Sequence, residues 1–153
     1  MNRPNILKAG IREVTFGTNV TVSEPCNLYE CKIGNDCFIG PFVEIQKGVS
    51  VGDGSRIQSH SLICEMVTLE ENCFIGHGVT FINDTFRSGK VSYDSSNWEK
   101  TNVGAGVIIG SNATILPVKI ATGAIVAAGA VVTKDLIEPG IYAGSPARLL
   151  RKL

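Results

Sequence analysis

The sequence predicts an all-β fold, a parallel β-helix of six-residue repeats with one extended loop. Three observations predict it: a large apolar residue recurs at every sixth position, the fifth position of each unit is small or β-branched, and glycine accounts for 17 of 153 residues. An α-helix needs an apolar residue every three to four positions, and a half-buried strand every second position. A period of six fits neither. It fits a short strand and a turn in each unit, and three units then close a coil of roughly 18 residues.

The first run of repeats extends from Ile33 to Phe81. Its large apolar residues are Ile33, Ile39, Ile45, Val51, Ile57, Ile63, Leu69, Ile75 and Phe81. Cys37 and Cys73 both occupy the small fifth position, so we expect their thiols to fill the core. Glycine recurs in the second position, at Gly34, Gly40, Gly52 and Gly76. Stacked coils of this kind bury a continuous apolar column.

The repeat fails in residues 85–102, which read TFRSGKVSYDSSNWEKTN. Long excursions from a compact fold are usually functional. This one carries Trp98 and Tyr93, whose rings could stack on a base or a sugar, and Arg87 and Lys90, which could contact phosphate. We therefore expect residues 85–102 to form a substrate-binding loop.

The repeat resumes after the loop and continues towards the C-terminal region. Its large residues are Val103, Ile109, Ile115, Ile120, Val126 and Val132, and the unit 115–119 is one residue short. A chain of 153 residues is long enough for one core and short for two. We expect a single domain over residues 1–153.

Composition and charge exclude several classes of partner. Fourteen basic residues balance fourteen acidic ones, so no net field favours nucleic acid or an anionic membrane. No apolar run approaches the roughly 20 residues of a membrane span, and the first residues lack an apolar signal-peptide segment. We expect a cytoplasmic protein that does not insert into membranes. The five cysteines are not spaced as a zinc site, and we expect no metal.

Counting by coil predicts an outward column of polar residues beside the loop. Positions one coil apart lie above one another, so Lys47, Glu65 and Asn83 share this column, and Asp84 follows at the start of the loop. An Asn–Asp pair is also typical of a turn that bonds its own backbone.

A second outward column contains His77, which has the same phase one unit before Asn83. This column continues to Ser59, with His60 adjacent. Polar groups in these two columns lie beside the only long excursion of the repeat. We therefore expect a substrate site there.

The repeat and the ending AVVTKDLIEPGIYAGSPARLLRKL together resemble the hexapeptide-repeat acyltransferases. The resemblance covers roughly residues 14–153 and implies a left-handed parallel β-helix, with a short C-terminal helix over residues 145–153. It also implies a homotrimer and acetyl-coenzyme A as co-substrate, bound in the groove between neighbouring subunits.

The resemblance assigns the cofactor-binding residues motif by motif. VIIGSNA aligns Ser111 with a residue that contacts the coenzyme, IVAAGAVVTKD aligns Ala128, Thr133 and Lys134, and GSPAR aligns Arg148. Lys134 and Arg148 are suited to pair with phosphate groups.

Three further motifs narrow the resemblance to an acceptor class. FVEIQKGV, SHSLICEMVTLEENCFIGHGVTFIND and SNATILPV are similar to the N-acetyltransferases that act on nucleotide-linked 3-amino sugars for bacterial surface polysaccharides. In that group the asparagine of F-x-N-D lies by the sugar amine, which implies a catalytic role for Asn83, and we add His77 beside it. The substrate-binding candidates are Glu65, Asp84, Arg87, Trp98 and His60.

The choice of acceptor leaves alternatives open. Hydroxyl acetylation needs a base, and the loop contains no histidine, whereas an amine is already nucleophilic once neutral. The main alternative is an O-acetyltransferase acting on a sugar hydroxyl with His77 as base. A non-catalytic assembly module is another. A γ-class carbonic anhydrase, which has the same fold, needs three zinc histidines, and the chain has two histidines.

Overall fold

A computed structural model describes residues 3–153. The chain winds through short strands that form three faces, and the strands of neighbouring coils within each face are parallel. Face 1 contains β1 (Ile11–Arg12), β4 (Asn27–Tyr29), β7 (Glu44–Ile45), β10 (Leu62–Ile63), β13 (Thr80–Phe81), β16 (Thr114–Ile115) and β19 (Val131–Val132). Face 2 contains β2 (Thr15–Phe16), β5 (Lys32–Ile33), β8 (Ser50–Val51), β11 (Val67–Leu69), β14 (Thr101–Val103) and β17 (Lys119–Ile120).

Face 3 contains β3 (Thr21–Val22), β6 (Phe38–Ile39), β9 (Arg56–Ile57), β12 (Phe74–Ile75), β15 (Ile108–Ile109), β18 (Ile125–Val126), β20 (Gly140–Ala143) and β21 (Arg148–Lys152). Each strand of the coils pairs in parallel with the strand one coil away, as Leu62 does with Glu44 and with Thr80. The predicted all-β parallel β-helix is confirmed, and its winding is consistent with the left-handed form.

The core follows the period of six. From β5 onwards the second residue of each two-residue strand is buried, and Ile39, Ile45, Ile57, Ile63 and Ile75 are fully buried. One cluster of buried residues extends from Cys26 to Ala147. Cys37 and Cys73 are buried as predicted, at 2% and 1% exposure.

Glycine in the second position allows neighbouring coils to stack closely. A Cβ atom on Gly52 would lie 2.5 Å from the backbone nitrogen of Glu71 in the next coil, and one on Gly76 would lie 2.7 Å from that of Ser111. Real Cβ atoms do not approach backbone so closely, so only glycine fits. This stacking holds outward side chains of successive coils within hydrogen-bonding distance.

The loop leaves the prism between faces 1 and 2. Face 1 strand β13 ends at Phe81 and β14 begins at Thr101, while Ser95–Asn97 form one turn of 3₁₀-helix. The predicted loop 85–102 therefore ends two residues early, because Thr101 and Asn102 pair with Val67 and Thr68 in the coil below.

The predicted short C-terminal helix over residues 145–153 is wrong. After Gly144, which has a φ of 93°, the chain reverses, and Arg148–Lys152 form a strand antiparallel to β20. The side chains of this segment are good helix formers, but an isolated helix of one or two turns is marginal in water. The free edge of β20 offers backbone partners instead.

Within residues 3–153, no helix has the length and the apolar character needed to cross a lipid bilayer.

Candidate active site

Outward side chains of successive coils form a column that we call the histidine edge, defined by Ser59, His77, Ser111 and Ala128 between faces 3 and 1. Ser59 Oγ lies 2.9 Å from His77 Nδ1. The backbone N–H of His77 donates to Ser111 Oγ at 3.2 Å. The predicted stacking of His77 on Ser59 is confirmed, and the loop insertion places Ser111 directly above His77 although 34 residues separate them.

The His77 ring is exposed and held from one side. Because Nδ1 is occupied by Ser59, Nε2 is the ring nitrogen available to a ligand or a proton. The neighbouring His60 stacks on Phe42, with ring centroids 4.7 Å apart and planes inclined by 14°. His60 thus packs against Phe42 of the preceding coil, and its role in substrate binding stays a prediction.

A second column, the asparagine edge, is defined by Lys47, Glu65, Asn83, Pro117 and Lys134 between faces 1 and 2. The side-chain Nδ2 of Asn83 donates to the backbone carbonyl of Glu65 at 3.3 Å. The backbone carbonyl of Asn83 accepts the N–H of Glu99 at 2.9 Å. The first bond fixes the orientation of the amide and leaves Oδ1 as a free acceptor. Asn83 is therefore suited to accept a hydrogen bond from an amine.

The asparagine edge also presents a half-buried carboxylate. Lys47, one coil below Glu65, pairs with Glu30 at 2.9 Å. In residues 3–153 no lysine, arginine or histidine lies within 4.0 Å of the Glu65 carboxylate. Glu65 is thus available to a cationic ligand.

The structure does not bring His77 and Asn83 together. They lie at opposite ends of β13, on two different edges of face 1. Within one copy of the chain, the two side chains therefore belong to separate sites.

The loop is held by its own hydrogen bonds. Asp84 Oδ1 and Oδ2 accept the backbone N–H groups of Phe86 and Ser92, each at 2.8 Å. Trp98 Nε1 donates to the carbonyl of Ser92 at 3.1 Å. Asp84 and Trp98 thus stabilise the loop, and their predicted contacts with substrate stay predictions.

Arg87 pairs with Glu99 at 3.4 Å across the root of the loop. Its side chain, together with those of Lys90 and Tyr93, lines a concavity of about 670 Å³. Arg87 and Lys90 are exposed and could still reach a phosphate group.

The predicted cofactor residues are divided between the two edges. Ser111 and Ala128 lie on the histidine edge, where the upper coils carry only small side chains. Thr133 and Lys134 lie on the asparagine edge. Arg148 lies above the last coil, next to Ala147, whose N–H donates to the carbonyl of Val131 in that coil. Neither Lys134 nor Arg148 forms an ion pair within residues 3–153.

Sequence reasoning missed Gln46 and Glu44. Gln46 Oε1 accepts the N–H of Glu65 at 3.2 Å, and its Nε2 donates to Glu44 Oε1 at 2.7 Å. The available signal was positional, because Gln46 stands in the second place of its unit, where several other units have glycine. A long amide in that place reaches the neighbouring coil.

Among residues 3–153, no group of three or more histidine, cysteine, aspartate or glutamate side chains is arranged to hold a metal ion.

Each of the two runs of repeats matches a known protein family. Residues 30–65 match the family described as bacterial transferase hexapeptide (six repeats). Residues 100–134 match the hexapeptide repeat of succinyl-transferase. The two matches lie on either side of the loop, in the coils that form the two edges.

Curated relatives include the bifunctional protein GlmU of Paramagnetospirillum magneticum, which is 32% identical over 140 residues and 85% of this chain. The chain spans about 30% of the length of that relative. Among solved structures, AntD, an N-acyltransferase from Bacillus cereus in complex with dTDP and coenzyme A, has a TM-score of 0.74 at 22% identity, covering 90% of this chain and 83% of AntD.

Perosamine N-acetyltransferase from Caulobacter crescentus, in complex with CoA and GDP-perosamine, has a TM-score of 0.67 at 22% identity and covers 86% of this chain and 53% of that one. At 22% identity, both solved structures show a similarity of fold alone.

Proposed function

We propose that this chain, whose two runs of repeats match hexapeptide families of transferases, transfers an acetyl group from acetyl-coenzyme A to the amine of a nucleotide-linked amino sugar used in surface polysaccharide synthesis. The observation that carries the proposal is the orientation of Asn83, whose amide is fixed by Glu65 with Oδ1 free. Two solved relatives in fold are N-acyl- or N-acetyltransferases bound to coenzyme A together with dTDP or GDP-perosamine.

Acetyl transfer to an amine requires little acid–base chemistry from the protein. The neutral amine nitrogen attacks the thioester carbonyl, the C–S bond breaks, and the proton lost by nitrogen ends on the coenzyme A thiolate, giving an amide and a free thiol. Glu65 attracts the amine in its ammonium form, which loses one proton to solvent before attack. Asn83 Oδ1 then accepts an N–H and directs the lone pair, so catalysis comes from orientation.

Acetyl-coenzyme A enters this proposal as the co-substrate. The small residues Ser111, Ala128 and Gly129 let a long, thin ligand approach the backbone, while the unpaired cations Lys134 and Arg148 suit its phosphate groups. Because these residues are divided between two edges, a groove between copies of the chain accommodates them better than one copy does.

The active form in this proposal is a cytoplasmic homotrimer. The outward residues of face 3 are Thr21, Phe38, Arg56, Phe74, Ile108, Ile125 and Ile141, whereas those of face 2 are Thr15, Lys32, Ser50, Thr68, Asn102 and Lys119. From Phe38 to Ile141 this face carries an apolar stripe that Arg56 alone interrupts, and a mainly apolar stripe on one face is typical of an interface between subunits. The histidine edge borders face 3, so it adjoins the groove between copies.

The experiment is a thiol-release assay with acetyl-coenzyme A and a nucleotide-linked 3-amino sugar, compared with the 3-hydroxy sugar nucleotide. Asn83→Ala should reduce turnover at least as strongly as His77→Ala. His77→Ala should cost less than the roughly 10²–10⁴-fold typical of a lost general base. A single rising pH limb, reporting deprotonation of the amine, should persist in the His77 variant.

A second candidate is an O-acetyltransferase, favoured by the hydrogen bond of Ser59 to His77 Nδ1. Such a bond orients a histidine whose Nε2 acts as base. If His77→Ala removes the pH limb and costs more than about a thousandfold, or if the hydroxy sugar is the better acceptor, this second function replaces the first.

A further inference from the structure

A chain of hydrogen bonds runs along face 1 and ends at Asn83. Asn27 Nδ2 donates to Glu44 Oε2 at 3.0 Å, and Gln46 Nε2 donates to Glu44 Oε1 at 2.7 Å. Gln46 Oε1 accepts the N–H of Glu65 at 3.2 Å, and the Glu65 carbonyl accepts Asn83 Nδ2 at 3.3 Å. Each bond joins one coil to the next or two side chains of one coil, so the chain of bonds connects Asn27 to Asn83 through the coils between them.

We propose that Gln46 is a positioning residue for the acceptor amine and acts through Glu65 and Asn83. The proposal rests on the function proposed above, in which Asn83 orients the amine. Glu44 has its own part, because its carboxylate accepts Gln46 Nε2 and thereby fixes which end of the Gln46 amide faces Glu65.

The backbone at Glu65 needs an external support. The next residue, Met66, has a φ of 73°, a left-handed conformation that is unfavourable for a side chain of this size. The turn that presents the Glu65 carbonyl to Asn83 is therefore not set by local preference. Gln46 holds that turn from the coil below, with a hydrogen bond to the N–H of Glu65.

A similar arrangement at another edge of the prism separates positioning from simple stability. Asn35 Oδ1 accepts the N–H of Thr18 at 2.8 Å, and its Nδ2 donates to Asp53 Oδ2 at 3.0 Å. Asn35 thus bridges a backbone N–H and a carboxylate between coils, as Gln46 does. It lies between faces 2 and 3, away from Asn83.

The test compares Gln46→Met with Asn35→Leu. Each change keeps the approximate shape and removes every side-chain hydrogen bond of the residue, two for Gln46 and three for Asn35, whose Oδ1 also accepts Thr18 Oγ1 at 3.0 Å. Both variants should lose similar thermal stability. Gln46→Met should lower kcat for the amino sugar nucleotide by roughly tenfold to a hundredfold, the range for a misplaced reacting group. Its KM for acetyl-coenzyme A should be unchanged, and Asn35→Leu should keep wild-type kcat.

Gln46→Glu provides a second measurement. The charged groups and tyrosine around this position are Glu44 and Lys47 in its own coil, Tyr29 and Glu30 below, and Glu65 above. In this variant the introduced carboxylate cannot donate to Glu44 when it is ionised, whereas the protonated carboxyl donates to Glu44 and still accepts from the N–H of Glu65. The kcat ratio of Gln46→Glu to wild type should therefore rise as pH falls.

These outcomes separate the two proposals. Absence of acetyl transfer by the wild-type protein to any amino sugar nucleotide would overturn the proposed function itself. If the wild type is active, equal kcat in Gln46→Met and wild type, or equal losses in Gln46→Met and Asn35→Leu, would overturn the role of Gln46. If Gln46→Met does not fold, a pH-independent ratio for Gln46→Glu would overturn it as well.

Discussion

Single residues in this fold are constrained by their place in the six-residue unit. The fifth place holds small or β-branched inward side chains, and cysteine serves there as a compact apolar group. Burial raises the pKa of the Cys73 thiol to about 11 and raises that of Cys37 above its ordinary value. Both thiols also donate to backbone carbonyls, Cys37 to Gly52 and Cys73 to Gly104, each at 3.3 Å.

Cys37 and Cys73 should therefore resist thiol reagents in the native protein. At pH 8 a thiol of pKa about 11 is ionised in roughly one molecule in a thousand, and the thiolate is the reactive form. Labelling should be slow in native buffer and complete in denaturant, followed by mass spectrometry of the labelled peptides. Rapid labelling of both residues before unfolding would mean that the inward phase of the repeat is misassigned.

Substitution of Arg148 tests the proposed coenzyme-binding groove. Arg148→Ala should weaken the binding of acetyl-coenzyme A by about 1.5–3 kcal/mol, the range for hydrogen bonds to charged groups. Lys134→Ala should act in the same direction. Arg151→Ala is the matched control, because Arg151 is an exposed arginine on the same strand, β21. An unchanged KM for acetyl-coenzyme A in Arg148→Ala would remove Arg148 from the site.

Elements within the repeat were predictable, and elements outside it were less so. Counting by coil predicted that Ser59 and His77 stack and that Glu65 and Asn83 stack, because each coil repeats the same geometry. The bridge made by Gln46 depends on a side chain reaching another coil, which a period does not encode. The C-terminal strand depends on the free edge of β20, a tertiary feature that overrides helix propensity.

Asp84 is one of the side chains that hold the loop. Asp84→Asn leaves one carboxamide oxygen for the two backbone N–H groups of Phe86 and Ser92 that now bond the carboxylate, so one N–H loses its partner. Trypsin cleavage after Arg87 and Lys90 should become faster, while thermal unfolding of the coils changes little.

Asp53→Asn is the control for this change, because Asp53 Oδ1 also accepts a backbone N–H, that of Asn35 at 2.8 Å, far from the loop. Its trypsin cleavage pattern should match that of the wild type. Equal cleavage rates in Asp84→Asn and wild type would show that other contacts hold the loop.

The whole molecule combines one polar face and one mainly apolar face around a shared core. Face 2 presents lysine, serine, threonine and asparagine to solvent, whereas face 3 exposes Phe74 and Ile108 at 38% and 42%. The distribution of candidate residues over two edges of face 1 also suggests that a complete site needs more than one copy. Both observations concern assembly, which the repeat pattern of one chain does not specify.

The last prediction is that the protein is a homotrimer of about 49 kDa, three times the 16.3 kDa chain, held through face 3. Phe74→Glu and Ile108→Glu place a charge in the apolar stripe, where burial without a partner is costly, and should shift the protein to monomers. Thr68→Glu, on face 2, should leave the trimer intact. Sedimentation equilibrium at micromolar concentration measures the mass of the wild type and of the three variants. Acetyl transfer is followed in parallel, because a groove between copies is lost when the trimer dissociates. A monomeric wild type, or a monomeric variant that retains full kcat/KM, would rule out a coenzyme site between subunits.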